Sequence, residues 1–75
     1  MKKLRCNAKG CSYLDLVKLA NRCGFVMFDG AKHCKIKTAV GEFITTIPRY
    51  NRLNSNTAKA IIEAMNKFGA DIEIL

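Results

Sequence analysis

Apolar positions along this chain recur with two different periods. From Ser12 to Cys23 the residues Tyr13, Leu16, Val17, Ala20 and Cys23 fall at steps of three and four, which predicts an amphipathic helix. Ser12 is a suitable N-cap with Asp15 at the capping-box position, Lys18 and Arg22 lie towards the end where cations suit the helix dipole, and Gly24 is the expected left-handed terminator. A second stripe, Ala58, Ile61, Ile62, Met65 and Phe68, has Lys59, Glu63 and Lys67 opposite it at i,i+4 spacing. Asn54, Ser55 or Asn56 can cap this helix and Gly69 ends it.

The segment between the helices reads as strands. Phe25 to Phe28 is a short aromatic and β-branched run closed by the turn pair Asp29-Gly30, and Lys32 to Thr38 then alternates with period two, so the two form a hairpin. Ala39-Val40-Gly41 is a second turn. Glu42 to Ile47 is rich in Ile, Thr and Phe, and Pro48 is expected to stop that strand because it has no N–H to give to a ladder. Arg49 to Asn56 is a polar loop, and Asp71 to Leu75 fits either a short strand or a tail that tucks Ile72 and Ile74 against the core. The expected fold is therefore α+β, in the order α-β-β-β-α, with both helices on one face of a three-stranded antiparallel sheet and the other face open to solvent.

Composition places the chain at the small end of independently folding domains, since 75 residues leave room for one core. Residues 12–75 make up that domain, and residues 1–11 are an N-terminal extension with no assigned role. Thirteen Lys and Arg against six Asp and Glu give a formal charge of +7. Such a surface favours a polyanionic partner, although a basic charge balance can also serve solubility alone. No apolar run reaches membrane-spanning length and neither helix has a broad basic face opposite an exposed apolar one, so nucleic acid is the simplest partner. Leu4 is followed by Arg5, Asn7 and Lys9, which leaves no apolar signal-peptide region, and a cytoplasmic location is expected.

In that reducing compartment Cys6, Cys11, Cys23 and Cys34 are expected as free thiols. Structural zinc draws ligands as close pairs, and only Cys6 and Cys11 approach that spacing, so no metal is expected. No small-molecule cofactor is expected either.

Alternation along His33-Cys34-Lys35-Ile36-Lys37 sends Cys34 and Ile36 to one face and His33, Lys35 and Lys37 to the other. The one histidine of the chain thus stands among ammonium groups on the open side, where Lys32, Lys35 and Lys37 attract phosphate. Two readings fit this cluster. It is a phosphodiester site with an acid-base group, or its lysines protect an edge strand from pairing with another sheet.

The series Leu16-Val17-Lys18-Leu19, Cys23-Gly24-Phe25, Gly30-Ala31-Lys32-His33, Thr46-Ile47-Pro48-Arg49 and Asn56-Thr57 with Ile61-Ile62 resembles the HicA toxins, from about Ser12 to the end. The resemblance implies a double-stranded-RNA-binding-domain-like fold, cleavage of messenger RNA, and inhibition by a HicB antitoxin. The histidine of that family matches His33. Two departures are that Ala31-Lys32 stands where Gly-Ser usually precedes the histidine, and that Tyr50 stands where a second histidine often follows Pro-Arg.

The function so implied is a toxin acting as a metal-independent endoribonuclease on mRNA, with His33 catalytic and Lys32, Lys35, Lys37, Arg49, Tyr50 and Arg52 binding RNA. Its partners are RNA and an acidic HicB-like antitoxin. A non-catalytic RNA-binding module of the same fold is the alternative.

Overall fold

A computed structural model of the chain describes residues 4–29 and 33–75. Its elements are β1 (Leu4–Cys6), a 3-10 turn (Ala8–Gly10), α1 (Tyr13–Arg22), β2 (Val26–Asp29), β3 (His33–Lys37), β4 (Phe43–Pro48), α2 (Ser55–Lys67) and β5 (Ile72–Ile74). The expected helix, three strands and helix are all present, flanked by one further strand at each end. The Asp29-Gly30 turn extends beyond the described residues.

Capping sets the helix boundaries. The Asp15 N–H donates to Ser12 Oγ at 3.3 Å and the Ser12 N–H donates to Asp15 Oδ2 at 3.0 Å, a closed capping box at the start of α1. Gly24, at φ 80°, turns the chain out of α1 into β2. Asn54 caps α2, its Oδ1 accepting the Asn56 N–H at 2.8 Å. The α1 stripe buries Leu16, Leu19 and Ala20, while Tyr13, Val17 and Cys23 pack at its margin. On α2 the buried residues are Ala58, Ile61, Ile62 and Met65. Phe68 departs from its expected core place. It is the C-cap, where the chain leaves the helix, and its side chain is 39% exposed.

β2, β3 and β4 form an antiparallel sheet in that order, so β3 is its central strand. Cys34 and Ile36 of β3 and Ile44 and Ile47 of β4 join the helical stripes in one core. Ile36 pairs with Thr45 but Lys37 with Phe43, which makes Ile44 an extra residue. This bulge resets the alternation of β4 and lets Ile44 stay inside while Phe43 faces out. β4 runs through Pro48, one residue past its expected end. The sheet edge at the last position of a strand tolerates a residue that cannot donate.

Residues 4–11 are built into the domain. β1 pairs in parallel with β5, matching Leu4 to Ile72 and Cys6 to Ile74, and Cys6, Ala8 and Cys11 are buried. β5 is fastened to α2 by Asn66, whose Nδ2 donates to Ile72 O and whose Oδ1 accepts from Ile72 N, both at 3.0 Å.

Candidate functional site

The alternation of β3 holds in three dimensions: Cys34 and Ile36 are buried, His33 and Lys35 exposed, and Lys37 half-buried. Lys37 owes its partial burial to Phe28 on β2, since its Nζ lies 4.9 Å from the centroid of that ring. With β3 in the centre of the sheet, protection of an edge no longer accounts for Lys35 and Lys37. A functional reason for these lysines gains weight accordingly.

His33 pairs with Pro48 at one end of the sheet. It lines a groove of about 440 Å³ with Thr45, Thr46 and Pro48 of β4 and with Asn56 and Thr57 in the first turn of α2. Ala60 and Ile61, one turn further on, line it too, so the groove runs along the flank of α2, whose first turn carries no acidic residue. The groove therefore combines an imidazole with hydroxyl and amide groups that can hydrogen-bond an oxyanion of phosphate. Thr45, Thr46, Asn56 and Thr57 were not among the sequence-based site residues. The Asn56-Thr57 pair at a helix start was the available signal, but its closeness to His33 arises only from packing of α2 beside β4.

The remaining expected contacts are dispersed. The Arg49 guanidinium lies 5.7 Å from the centroid of the Tyr13 ring on α1. Tyr50 is exposed, and its backbone ties the loop to α1, its carbonyl accepting the Tyr13 N–H at 3.2 Å. Arg52 is exposed beside Leu53, which is buried and donates its N–H to Cys11 O at 2.9 Å. None of Arg49, Tyr50 and Arg52 lines the His33 groove. Lys32 lies outside the described residues.

No disulfide joins Cys6, Cys11, Cys23 or Cys34. Burial, the hydrogen bond with Cys6, and the charges of Cys6 and Asp15 together push the Cys11 thiol up to about 12, and burial also raises Cys23. A thiol held protonated is a poor nucleophile. Among the described residues no three His, Cys, Asp or Glu side chains cluster as a metal site, and no helix is long and apolar enough to cross a membrane.

No family model, curated protein or solved structure matches the chain. The functional reading therefore rests on the residues and their geometry.

Proposed function

We propose that this chain is a cytoplasmic toxin of the HicA type, a metal-independent endoribonuclease acting on mRNA and restrained by an acidic HicB-like protein. The observation that carries the reading is the position of the one histidine: exposed at the end of a central strand, in a groove shared with the first two turns of α2, on the same face as Lys35 and Lys37. The α-β-β-β-α core, with its helices on one side of the sheet, is compatible with a double-stranded-RNA-binding-domain-like fold.

In this mechanism a ribose 2′-hydroxyl attacks the adjacent phosphorus. The new O2′–P bond forms as the P–O5′ bond breaks, leaving a cyclic phosphate and a free 5′-hydroxyl. His33 takes the proton of the attacking hydroxyl or supplies one to the leaving oxygen. Lys35 and the threonine hydroxyls offset the charge that develops on phosphate. One histidine cannot serve as base and acid at once. Among the described residues no tyrosine or lysine lines the groove, so water is the better second proton carrier.

The test is incubation with single-stranded RNA in excess EDTA. Cleavage to 5′-hydroxyl and cyclic-phosphate ends is expected. Binding without cleavage would instead mark the domain as a non-catalytic RNA-binding module.

A further inference from the structure

The open face of the sheet carries more than cations. Register places Val26 and Phe43 on either side of Lys37, and Phe28 and Thr46 on either side of Lys35, with all these side chains directed away from the core. Val26, Phe28 and Phe43 are 40%, 49% and 54% exposed. Two aromatic rings thus stand half in water on opposite outer strands, in successive cross-strand rows about 6.6 Å apart along the strand direction. None of the described strand residues assigned to this face is acidic.

Rings and ammonium groups on one surface specify the chemistry of what covers it. A purely apolar partner, such as a second copy of the chain, would have to desolvate Lys35 and Lys37 at a high cost without pairing them. Phosphate alone would need the lysines but not the rings. An unpaired nucleotide offers an anion and a π-face together, and both are used when single strands bind on aromatic platforms. A duplex cannot offer this, because its bases are already stacked on one another.

Resting on the ribonuclease reading, we propose that this face is a base-stacking platform: Phe28 and Phe43 each receive an unpaired base of single-stranded RNA, and Lys35 and Lys37 hold the phosphates between them. His33, at the end of the same strand, meets the backbone as it leaves the platform. The ammonium of Lys37 covers the Phe28 ring in the free protein. Its flexible stem allows it to exchange the ring for a phosphate when a base arrives. The substrate class is then RNA that is unpaired where it is cut.

The test uses the full chain with 2′-O-methylated RNA, which lacks the attacking hydroxyl, as an unstructured strand and as a duplex of equal length. Phe28→Leu and Phe43→Leu keep apolar bulk at half-exposed positions and remove the π-face. Each is expected to weaken single-strand binding by at least about fivefold, the low end of the cost of one stacked base, without changing the salt slope. The chain has no tryptophan, so Phe28→Trp or Phe43→Trp supplies one reporter, whose fluorescence single-stranded RNA should quench. Unchanged affinity in both leucine variants, or equal affinity for the duplex, overturns the platform and leaves the ribonuclease reading standing. Leucine variants that keep RNA affinity but lose an acidic protein partner would make the face a protein-docking surface and also overturn it. Wild-type protein that binds no RNA removes both proposals.

Discussion

The Sγ atoms of Cys6 and Cys11 lie 3.3 Å apart, a buried thiol pair that joins the end of β1 to the entry of α1. Because the Cys11 thiol is raised from 9.0 to about 12 in the folded protein, its contribution to stability is fully present below pH 9. Above that the unfolded chain loses the proton while the folded chain keeps it, so the contribution is lost as pH rises towards 12. The melting temperature is expected to fall more steeply between these limits in wild type than in Cys11→Ala, which lacks the titrating group. Parallel slopes in the two proteins would contradict it.

Two contacts of β5 should differ in worth. Asn66→Ala leaves the Ile72 N–H and C=O without their side-chain partner at a half-buried site, and is expected to cost about 1–3 kcal/mol. Arg5→Ala removes the exposed ion pair with Glu73, whose N···O distance is 3.0 Å, and should cost less than about 1 kcal/mol. Urea unfolding of the two variants ranks them, and the reverse order would mean that β1 holds β5 more firmly than α2 does.

The helices were legible because stripe, cap and terminator agree: Ser12 with Asp15 at one end of α1 and Gly24 at the other leave little freedom. β1 was not, and β5 was one of two readings of Asp71 to Leu75, since three-residue strands carry too little periodicity to be told from loop and the two pair only with each other. His33 and Lys35 could be assigned to the open face from alternation alone. The run Phe25 to Phe28 assigned no residue to a face, and the outward position of Phe43 depends on the bulge at Ile44, which no local pattern announces. The groove was invisible for a related reason. Its two walls come from β4 and α2, and only the packing of the helix against the sheet brings Thr57 and His33 to one place.

Phosphate contacts make RNA affinity depend on salt. Replacing Lys35 with Ala should reduce the slope of log affinity against log salt by about 0.7, the counterion release of one contact to a single strand. Measured binding across a salt series tests this, and affinity independent of salt would remove the electrostatic basis of the site.

An acidic protein partner should compete with RNA for this face. A ribonuclease of the proposed kind needs its site covered while inactive, and the formal charge of +7 suits fast association with a partner of complementary charge. Pull-down from the native host is expected to recover a small acidic protein whose binding is weakened by charge reversal at Lys35 and which excludes RNA. Recovery of RNA and ribosomes alone would withdraw support from the toxin reading.

The sharpest expectation concerns His33→Ala. Position 33 is exposed at the end of β3, so truncation opens no core cavity and should leave the melting temperature almost unchanged. Lys35 and Lys37 remain, and with them most of the RNA affinity. Proton transfer is different, because the chain contains no second imidazole to take over. Loss of a general acid-base group typically costs a factor of about a hundred to ten thousand, so purified His33→Ala should bind RNA nearly as well as wild type and cut it at most about one hundredth as fast. In cells, expression of wild type should arrest growth and the variant at equal protein level should not. Cleavage by His33→Ala at the wild-type rate would refute the catalytic assignment, since proton transfer at the phosphate would then not pass through the imidazole.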